Sequence, residues 1–212
     1  MPTESLVQEA ATGNVKRVQQ ILSGSVDVNV QDDYGTTALI EAAFSGDGEM
    51  VRYLLSRGAD VHLRDADGST ALLRGSVRGD IEVIGLLLDA GSEIGARDNH
   101  GLLPLIEAAY WGHAELVTLL LSRGADANAQ DDWGKTALCW AACQGHADVV
   151  MRLLAHGADV NKGDFDGNSP LSWALFEHHR DVSDILIANG AYSEVCFHEY
   201  CTDHSHAVCA AS

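Results

Sequence analysis

Apolar residues along this chain recur at helical spacing in pairs of short segments. In residues 131–163, Thr136 precedes an apolar segment at 137–143, and a second apolar segment follows Gly145 at 147–155. The second segment has large apolar side chains at Val149, Val150, Leu153 and Leu154. This spacing predicts amphipathic helices, and threonine is a residue type that caps a helix N-terminus. We therefore predict a helix, a turn, a second helix and an extended return.

The same pattern repeats along most of the chain with a period of 33 residues. Two sets of glycines keep this period, one in the turn before each first helix and one at the end of each second helix. They are Gly35, Gly68, Gly101, Gly134 and Gly167, and Gly58, Gly91, Gly124, Gly157 and Gly190. A period of this length is typical of a solenoid, in which stacked units bury a continuous core between neighbours. The pattern thus predicts an all-α solenoid.

The repeated unit resembles the ankyrin repeat. The residues that carry the resemblance in 131–163 are Thr136-Ala137-Leu138, Ala141-Ala142, Gly145-His146, Val149-Val150, Leu153-Leu154 and Gly157-Ala158-Asp159-Val160-Asn161. The same frame fits five units, numbered here as repeats 1 to 5: residues 32–64, 65–97, 98–130, 131–163 and 164–193. A shorter cap occupies 1–31, and a Cys/His-rich tail occupies 194–212. The resemblance implies one domain over 1–193, an ankyrin-repeat solenoid of stacked helix-turn-helix units with hairpin-like loops.

Repeats 2 and 5 depart from this pattern. Repeat 2 has Gly75 and Ser76 where its neighbours have paired alanines, and Gly85 lies inside its second helix. A glycine inside a helix costs about 1 kcal/mol relative to alanine, so we expect repeat 2 to be the least stable. Repeat 5 has Leu175 in place of the second alanine and His178 in place of the glycine between its helices. Such departures are typical of a terminal unit.

In the ankyrin family, partners commonly bind the concave surface formed by the loop tips and the exposed side of each first helix, called here the first-helix face. The matching positions of this chain differ from one repeat to the next, whereas the core positions repeat. Variable positions on a constant scaffold can encode binding specificity. The resemblance therefore implies partner contacts at Asp33, Tyr34, Phe44, Asp67, Arg78, His100, Tyr110, Trp111, Asp132, Trp133, Gln144, Phe165, Asp166, Phe176 and Glu177.

Large aromatic residues are concentrated at these positions, although they make up only 6% of the chain. Exposed aromatics are the residue types of interface hot spots, and Tyr110, Trp111 and Trp133 are the strongest candidates. The alternative is that several of them fold inward and pack between adjacent first helices. Acidic neighbours such as Asp132 and Asp166 favour a protein or peptide partner with basic and aromatic or apolar groups.

The charge of the chain is strongly negative, −18 at pH 7 from 31 acidic and 13 basic side chains. Such a charge opposes binding to nucleic acid and to anionic lipid headgroups. The N-terminal residues lack the basic and apolar regions of a signal peptide. We expect a monomer in the cytoplasm or nucleus, associated with a membrane only if its tail carries a lipid.

One position of the first helix is occupied in successive repeats by Glu41, Arg74, Glu107, Trp140 and Trp173. Because opposite charges alternate in the first three repeats, we expect ion pairs between repeats around Arg74. Arg78, one turn further along, has no such partner in the pattern. It is a candidate contact for an acidic group of a ligand.

The sequence contains no pattern of catalytic residues, and we expect no enzymatic activity. His113 and His146 match a position where histidine holds the turn in the ankyrin family. No phosphate-binding loop, zinc-protease helix or nucleophile elbow is present. Cys139 and Cys143, four residues apart, fit either a metal-ligating or redox pair or thiols that replace small core residues. We expect no resident cofactor other than zinc in the tail.

The tail is open to three interpretations. His198, Cys201, His206 and Cys209 are ligand types of a tetrahedral zinc site, although their spacing matches no common zinc module. Alternatively, Cys209 begins a CaaX box that ends at Ser212, where serine favours a farnesyl group. A lipid there would make the chain a membrane-recruited regulator, and it would exclude zinc because a thioether is no longer a thiolate ligand. The third interpretation is a tail with neither modification.

Overall fold

The computed structural model describes residues 2–192, which form twelve α-helices in six consecutive pairs. The helices are α1 (Pro2–Ala11), α2 (Val15–Leu22), α3 (Ala38–Ser45), α4 (Gly48–Ser56), α5 (Ala71–Arg78), α6 (Ile81–Asp89), α7 (Pro104–Tyr110), α8 (Ala114–Ser122), α9 (Ala137–Gln144), α10 (Ala147–Ala155), α11 (Pro170–Phe176) and α12 (Arg180–Ala188). Among these residues the β-structure is limited to isolated bridges from Gln31 to Thr37 and from Gln130 to Thr136. The all-α architecture predicted from the sequence is confirmed.

Most first helices begin at a side chain that caps them. The hydroxyls of Thr37, Thr70, Thr136 and Ser169 each accept a hydrogen bond from a backbone N–H three residues further on. Repeat 3 uses Pro104 at the start of α7 instead, where the missing N–H of proline has no helical partner to lose. In repeat 5, His178 lies between the end of α11 and the start of α12 and adopts a left-handed φ of 62°. This conformation strains a non-glycine residue by about 1–2 kcal/mol.

The core is a continuous strip along the stack. The first helices contact one another in succession from α1 through α11, and the second helices do so from α4 through α12. Paired alanines such as Ala141 and Ala142 are fully buried, so the backbones of neighbouring first helices approach closely. One apolar cluster extends from Leu6 to Ala191. Each repeat is therefore stabilised mainly by its neighbours, as in other solenoids.

Histidines at the turn between the two helices link each repeat to the preceding one. Nε2 of His113, His146 and His179 lies 2.9, 2.9 and 3.1 Å from the carbonyl oxygens of Val77, Tyr110 and Cys143, respectively. Each carbonyl belongs to the end of the first helix of the preceding repeat. His113 and His146 thus hold the turn, as the sequence predicted.

Asparagines in the hairpin-like loops form a second link, which repeat 2 lacks on both sides. The side-chain amides of Asn29, Asn128 and Asn161 donate hydrogen bonds to the carbonyls of Gly58, Gly157 and Gly190, respectively. Their amide oxygens accept hydrogen bonds from the backbone N–H groups two residues after these glycines. Repeats 1 and 2 have His62 and Gly95 at this position, and neither supplies these bonds within the described chain. In addition, the buried hydroxyl of Ser92 in repeat 2 has no hydrogen-bond partner among the described residues. These features support the prediction that repeat 2 is the least stable.

Replacing Gly85 by alanine should raise the free energy of unfolding by about 0.5–1 kcal/mol. A Cβ at Gly85 meets no atom within 4 Å outside its own helix, and alanine restricts the unfolded chain. Gly75→Ala is the matched control, since its Cβ would lie 3.1 Å from Cδ1 of Ile84, a close contact that offsets the gain. Urea denaturation followed by circular dichroism compares the two variants. A destabilised Gly85→Ala variant would contradict this account of repeat 2.

Candidate functional site

The predicted contact residues lie in the turns before the first helices or at the ends of those helices. Trp111, Trp133 and Phe176 are 51%, 52% and 64% exposed. Tyr110 is half-buried, so the inward-packing alternative applies in part to this residue. The remaining candidates are exposed: Asp33, Tyr34, Phe44, Asp67, Arg78, His100, Asp132, Gln144, Phe165, Asp166 and Glu177.

Aromatic rings form a row across the first helices of repeats 3, 4 and 5. The ring of Tyr110 makes edge contacts with Trp111 at 5.1 Å and with Trp140 at 5.4 Å between centroids. Trp173 makes a similar contact with Phe176 at 6.3 Å. Together these residues and Lys135 are called here the aromatic row. Edge-to-face contacts of this kind stabilise ring pairs beyond simple burial, so the row is preorganised.

Lys135 joins the two halves of the aromatic row. Its ammonium nitrogen lies 4.2 Å from the ring centroid of Trp140 and 3.6 Å from that of Trp173, so the cation is held between two indoles. A cation over the face of tryptophan is attracted by the ring quadrupole. Because Lys135 and Trp140 belong to repeat 4 and Trp173 to repeat 5, this contact also joins two repeats. The sequence offered no signal for it, since only the structure brings the three residues together.

The loop tips form a second set of contacts. The rings of His100 and Trp133 stack at 6.1 Å with an interplanar angle of 15°. Backbone N–H groups connect successive tips, with Asp132 donating to the carbonyl of His100 at 3.3 Å and Phe165 to that of Trp133 at 3.2 Å. The exposed side chains of the tips are therefore carried by hydrogen-bonded backbone.

An aspartate at the start of each repeat organises the turn below its tip. One oxygen, Oδ1, accepts backbone N–H groups two and four residues further on. The five residues are Asp32, Asp65, Asp98, Asp131 and Asp164. In repeats 4 and 5 the other oxygen accepts the indole N–H of Trp140 at 2.7 Å and of Trp173 at 3.0 Å. These bonds fix the orientation of both rings around Lys135.

Arg74 pairs within its own repeat rather than with neighbouring glutamates. Its guanidinium donates to Asp65 at 2.8 Å from Nε and to Asp67 at 2.7 Å from a terminal nitrogen. The predicted ion pairs with Glu41 and Glu107 are therefore wrong. The physical reason is that the carboxylates of Asp65 and Asp67, in the turn before α5, already accept hydrogen bonds from the guanidinium of Arg74. The positive charge of Arg74 acts to lower the pKa of Glu41 and of Glu107, but Arg74 forms no ion pair with either side chain among the described residues.

Glu41 and Glu107 are half-buried carboxylates, and neither forms an ion pair within residues 2–192. Burial, followed by the charge of Asp32, raises the pKa of Glu41 above its ordinary value. Burial also raises the pKa of Glu107, while the indole N–H of Trp111, 3.1 Å from Oε2, and Arg74 act in the opposite direction. Both groups thus favour the protonated form more than a free glutamate does.

Glu107→Gln should raise the free energy of unfolding at neutral pH. Because the folded state raises the pKa of Glu107, it binds this proton more tightly than the unfolded state does. The ionised carboxylate therefore lowers stability as the pH rises from the ordinary carboxyl pKa through the folded-state pKa. Glutamine removes this penalty and still accepts the N–H of Trp111. Thermal denaturation at neutral and acidic pH measures the effect.

The stability difference between Glu107→Gln and the unmodified chain should disappear at a pH below the ordinary glutamate pKa. Glu93→Gln, an exposed residue in a hairpin-like loop, is the matched control and should leave stability unchanged at both pH values. A Glu107→Gln variant that is less stable at neutral pH would show that the ionised carboxylate contributes to the fold.

The two cysteines of α9 differ in environment, since Cys139 lies in the core and Cys143 is half-buried. Cys139 is fully buried, its backbone N–H donates to the hydroxyl of Thr136, and burial raises its pKa. Burial likewise raises the pKa of Cys143. Raised pKa values disfavour the thiolate that binds metals and reacts. This supports the interpretation of Cys139 as a replacement for a small core residue.

Residues 2–192 contain no group of three or more His, Cys, Asp or Glu side chains arranged to hold a metal ion. No helix in this part of the chain is long and apolar enough to cross a membrane. The tail candidates His198, Cys201, His206 and Cys209 lie outside the described residues.

Comparison with known families identifies the repeats. A family model described as ankyrin repeats (3 copies) matches residues 6–98 and 105–195. No curated protein matches the chain. Ankyrin repeats are generally protein–protein interaction modules and are typically not enzymes. Because the matched residues cover most of its length, this chain belongs to the ankyrin repeat family.

Proposed function

We propose that this chain is a non-enzymatic adaptor, inhibitor or targeting subunit that holds a protein or peptide on its first-helix face. The observation that carries the proposal is the aromatic row of repeats 3 to 5, together with Trp133 and Phe165 at the adjoining tips. Tryptophan and tyrosine in a preorganised cluster are the residue types that dominate binding energy. Acidic side chains border the row, which favours a partner with basic as well as apolar groups.

Exposed apolar side chains on the second helices are more scattered. Ile81, Met151 and Ile187 are exposed on α6, α10 and α12, respectively, and they belong to different repeats. Isolated apolar residues of this kind are normal for a protein surface. The contrast with the aromatic row favours the first-helix face. We also propose that the chain acts as a monomer in the cytoplasm or nucleus, without nucleic acid or a cofactor in the repeats.

Affinity capture from a cell extract tests the proposal. The bait is the full chain, compared with a Trp111→Ala/Trp133→Ala variant and with an Ile81→Ala/Met151→Ala variant of the second helices. Quantitative mass spectrometry should find a protein that the unmodified and second-helix baits recover equally and the tryptophan variant does not. A specific protein lost only from the second-helix variant would contradict the proposed face.

A further inference from the structure

The repeats differ in which group donates a hydrogen bond to the side chain of the aspartate at the start of each repeat. In repeats 2, 4 and 5, the side chain nine residues after the aspartate donates to the carboxylate oxygen that the backbone leaves open. These donors are Arg74, Trp140 and Trp173, at 2.8, 2.7 and 3.0 Å. In three repeats, therefore, the fold provides an N–H group for this oxygen.

Repeats 1 and 3 place a carboxylate where the other repeats place a donor. Glu41 and Glu107 occupy the position, and an ionised carboxylate accepts hydrogen bonds but cannot donate them. No side chain in the described part of the chain donates to Oδ2 of Asp32 or Asp98. Each of these repeats thus presents two carboxylates whose charges interact, and lacks the N–H group found in the others.

The surroundings of the Asp32–Glu41 pair leave room for an added group. Asp32 and Glu41 line an open cavity of about 380 Å³ together with Val7, Gln8 and Ala11. Glu41 also borders a second cavity of about 230 Å³, which the exposed ring of Phe44 and the Arg74–Asp65 pair line as well. Glu107 lies next to the exposed ring of Trp111, to which it is hydrogen-bonded. Both pairs therefore lie beside apolar surface that a bound side chain can cover.

Two basic side chains of this region are already engaged with groups of the chain, and a third, Arg78, is exposed at the end of α5. Arg74 is paired with Asp65 and Asp67, and Lys135 is held between two indoles. Exposed acidic side chains at the tips and helix ends have no such partners among the described residues: Asp33, Asp132, Asp166 and Glu177. The charge left on the face is negative, so it complements a cationic occupant.

We propose that the first-helix face binds a partner segment with two cationic side chains, one at the Asp32–Glu41 pair and one at the Asp98–Glu107 pair. Each cation supplies the N–H groups that Arg74 supplies to the turn of repeat 2. Arginine is favoured over lysine because a guanidinium bridges two carboxylates with separate N–H groups, as Arg74 does with Asp65 and Asp67. This inference rests on the proposed function and names the chemistry of the partner.

Selection from a random peptide display library provides the probe. The library is selected on the unmodified full chain and on Glu41→Gln, Glu107→Gln and Glu115→Gln variants. Glu115 is exposed on the second helix of repeat 3, so its variant is a matched control for the same chemical change. The unmodified chain and the control should select peptides with arginine at two positions. Each of the other two variants should lose one of these preferences.

Synthetic versions of a selected peptide give the strength of each contact. Replacing one arginine by citrulline, which is neutral and similar in shape, should weaken binding about tenfold. The matching Glu→Gln variant should not distinguish the two peptides, whereas the other variant should. Circular dichroism of each variant establishes that it is folded.

The peptide selection also distinguishes failure of this inference from failure of the proposed function. Peptides that require Trp111 and Trp133 but show no arginine preference would overturn the inference alone. An arginine preference that survives both Glu→Gln substitutions would do the same. A library that yields no binder, or binders that do not need the two tryptophans, would contradict the proposed function and the inference together.

Discussion

Replacing Trp111 and Trp133 together by alanine should weaken partner binding by at least about 100-fold and lower the free energy of unfolding only modestly. An aromatic hot spot contributes about 2 kcal/mol or more, which corresponds to roughly 30-fold in affinity for each residue. Both side chains are about half exposed, so the fold loses less buried surface than it would at fully buried positions. Isothermal titration calorimetry with the captured partner, or with a selected peptide, measures the affinity.

The Ile81→Ala/Met151→Ala variant is the control for this experiment. These side chains are 40% and 48% exposed, similar to the two tryptophans, but they lie on second helices. Their removal should leave the affinity within about twofold of the unmodified chain. A tryptophan variant that binds normally would exclude the aromatic row as the binding surface. One that unfolds at a lower temperature by many degrees would assign Trp111 and Trp133 to the core.

Leu138→Ala should lower the free energy of unfolding by about 3 kcal/mol, within the range of 2–5 kcal/mol typical of buried leucines. Leu138 is fully buried in α9, and α9 contacts the first helices of both neighbouring repeats as well as α10. The cavity left by the substitution weakens the strip of core that connects repeat 4 to its neighbours. In a solenoid, weaker contact between units also lowers cooperativity.

Guanidinium denaturation followed by circular dichroism and by tryptophan fluorescence tests this prediction. Three of the four tryptophans, Trp133, Trp140 and Trp173, lie in repeats 4 and 5, so fluorescence should report unfolding there before circular dichroism reports the rest. Leu175→Ala provides the control, since this leucine is 40% exposed and should cost less than about 1 kcal/mol. Equal losses for the two variants would contradict the assignment of the core.

The sequence predicted the helix pairs because their determinants are local. Thr136 caps α9 through its own side chain, and Gly145 ends the helix with a φ of 76°. Both features depend on residues within one turn of the position concerned. The 33-residue period then predicts the same helix pair in repeats that lack some of these local features. In repeat 3, for example, Leu103 precedes α7 without a side-chain cap.

The chemistry of the candidate site was harder to predict because it depends on contacts between distant positions. The periodic pattern identified Glu41, Arg74 and Glu107 as one position, but not the direction of their side chains. Arg74 bonds to aspartates seven and nine residues earlier in its own turn, which takes precedence over a pair between repeats. Lys135 was missed because its cation–π contact with Trp173 spans two repeats.

Footprinting of the partner-bound chain by hydroxyl radicals and mass spectrometry tests the proposed binding face most directly. The method compares oxidation of individual side chains in the free and bound protein, and aromatic and sulfur-containing residues react readily. We expect protection of Trp111, Trp133, Phe165 and Phe176 on binding. Met151 and Ile187, exposed on α10 and α12, should be oxidised as in the free chain. Protection of Met151 and Ile187 with the four aromatics unchanged would contradict the central claim.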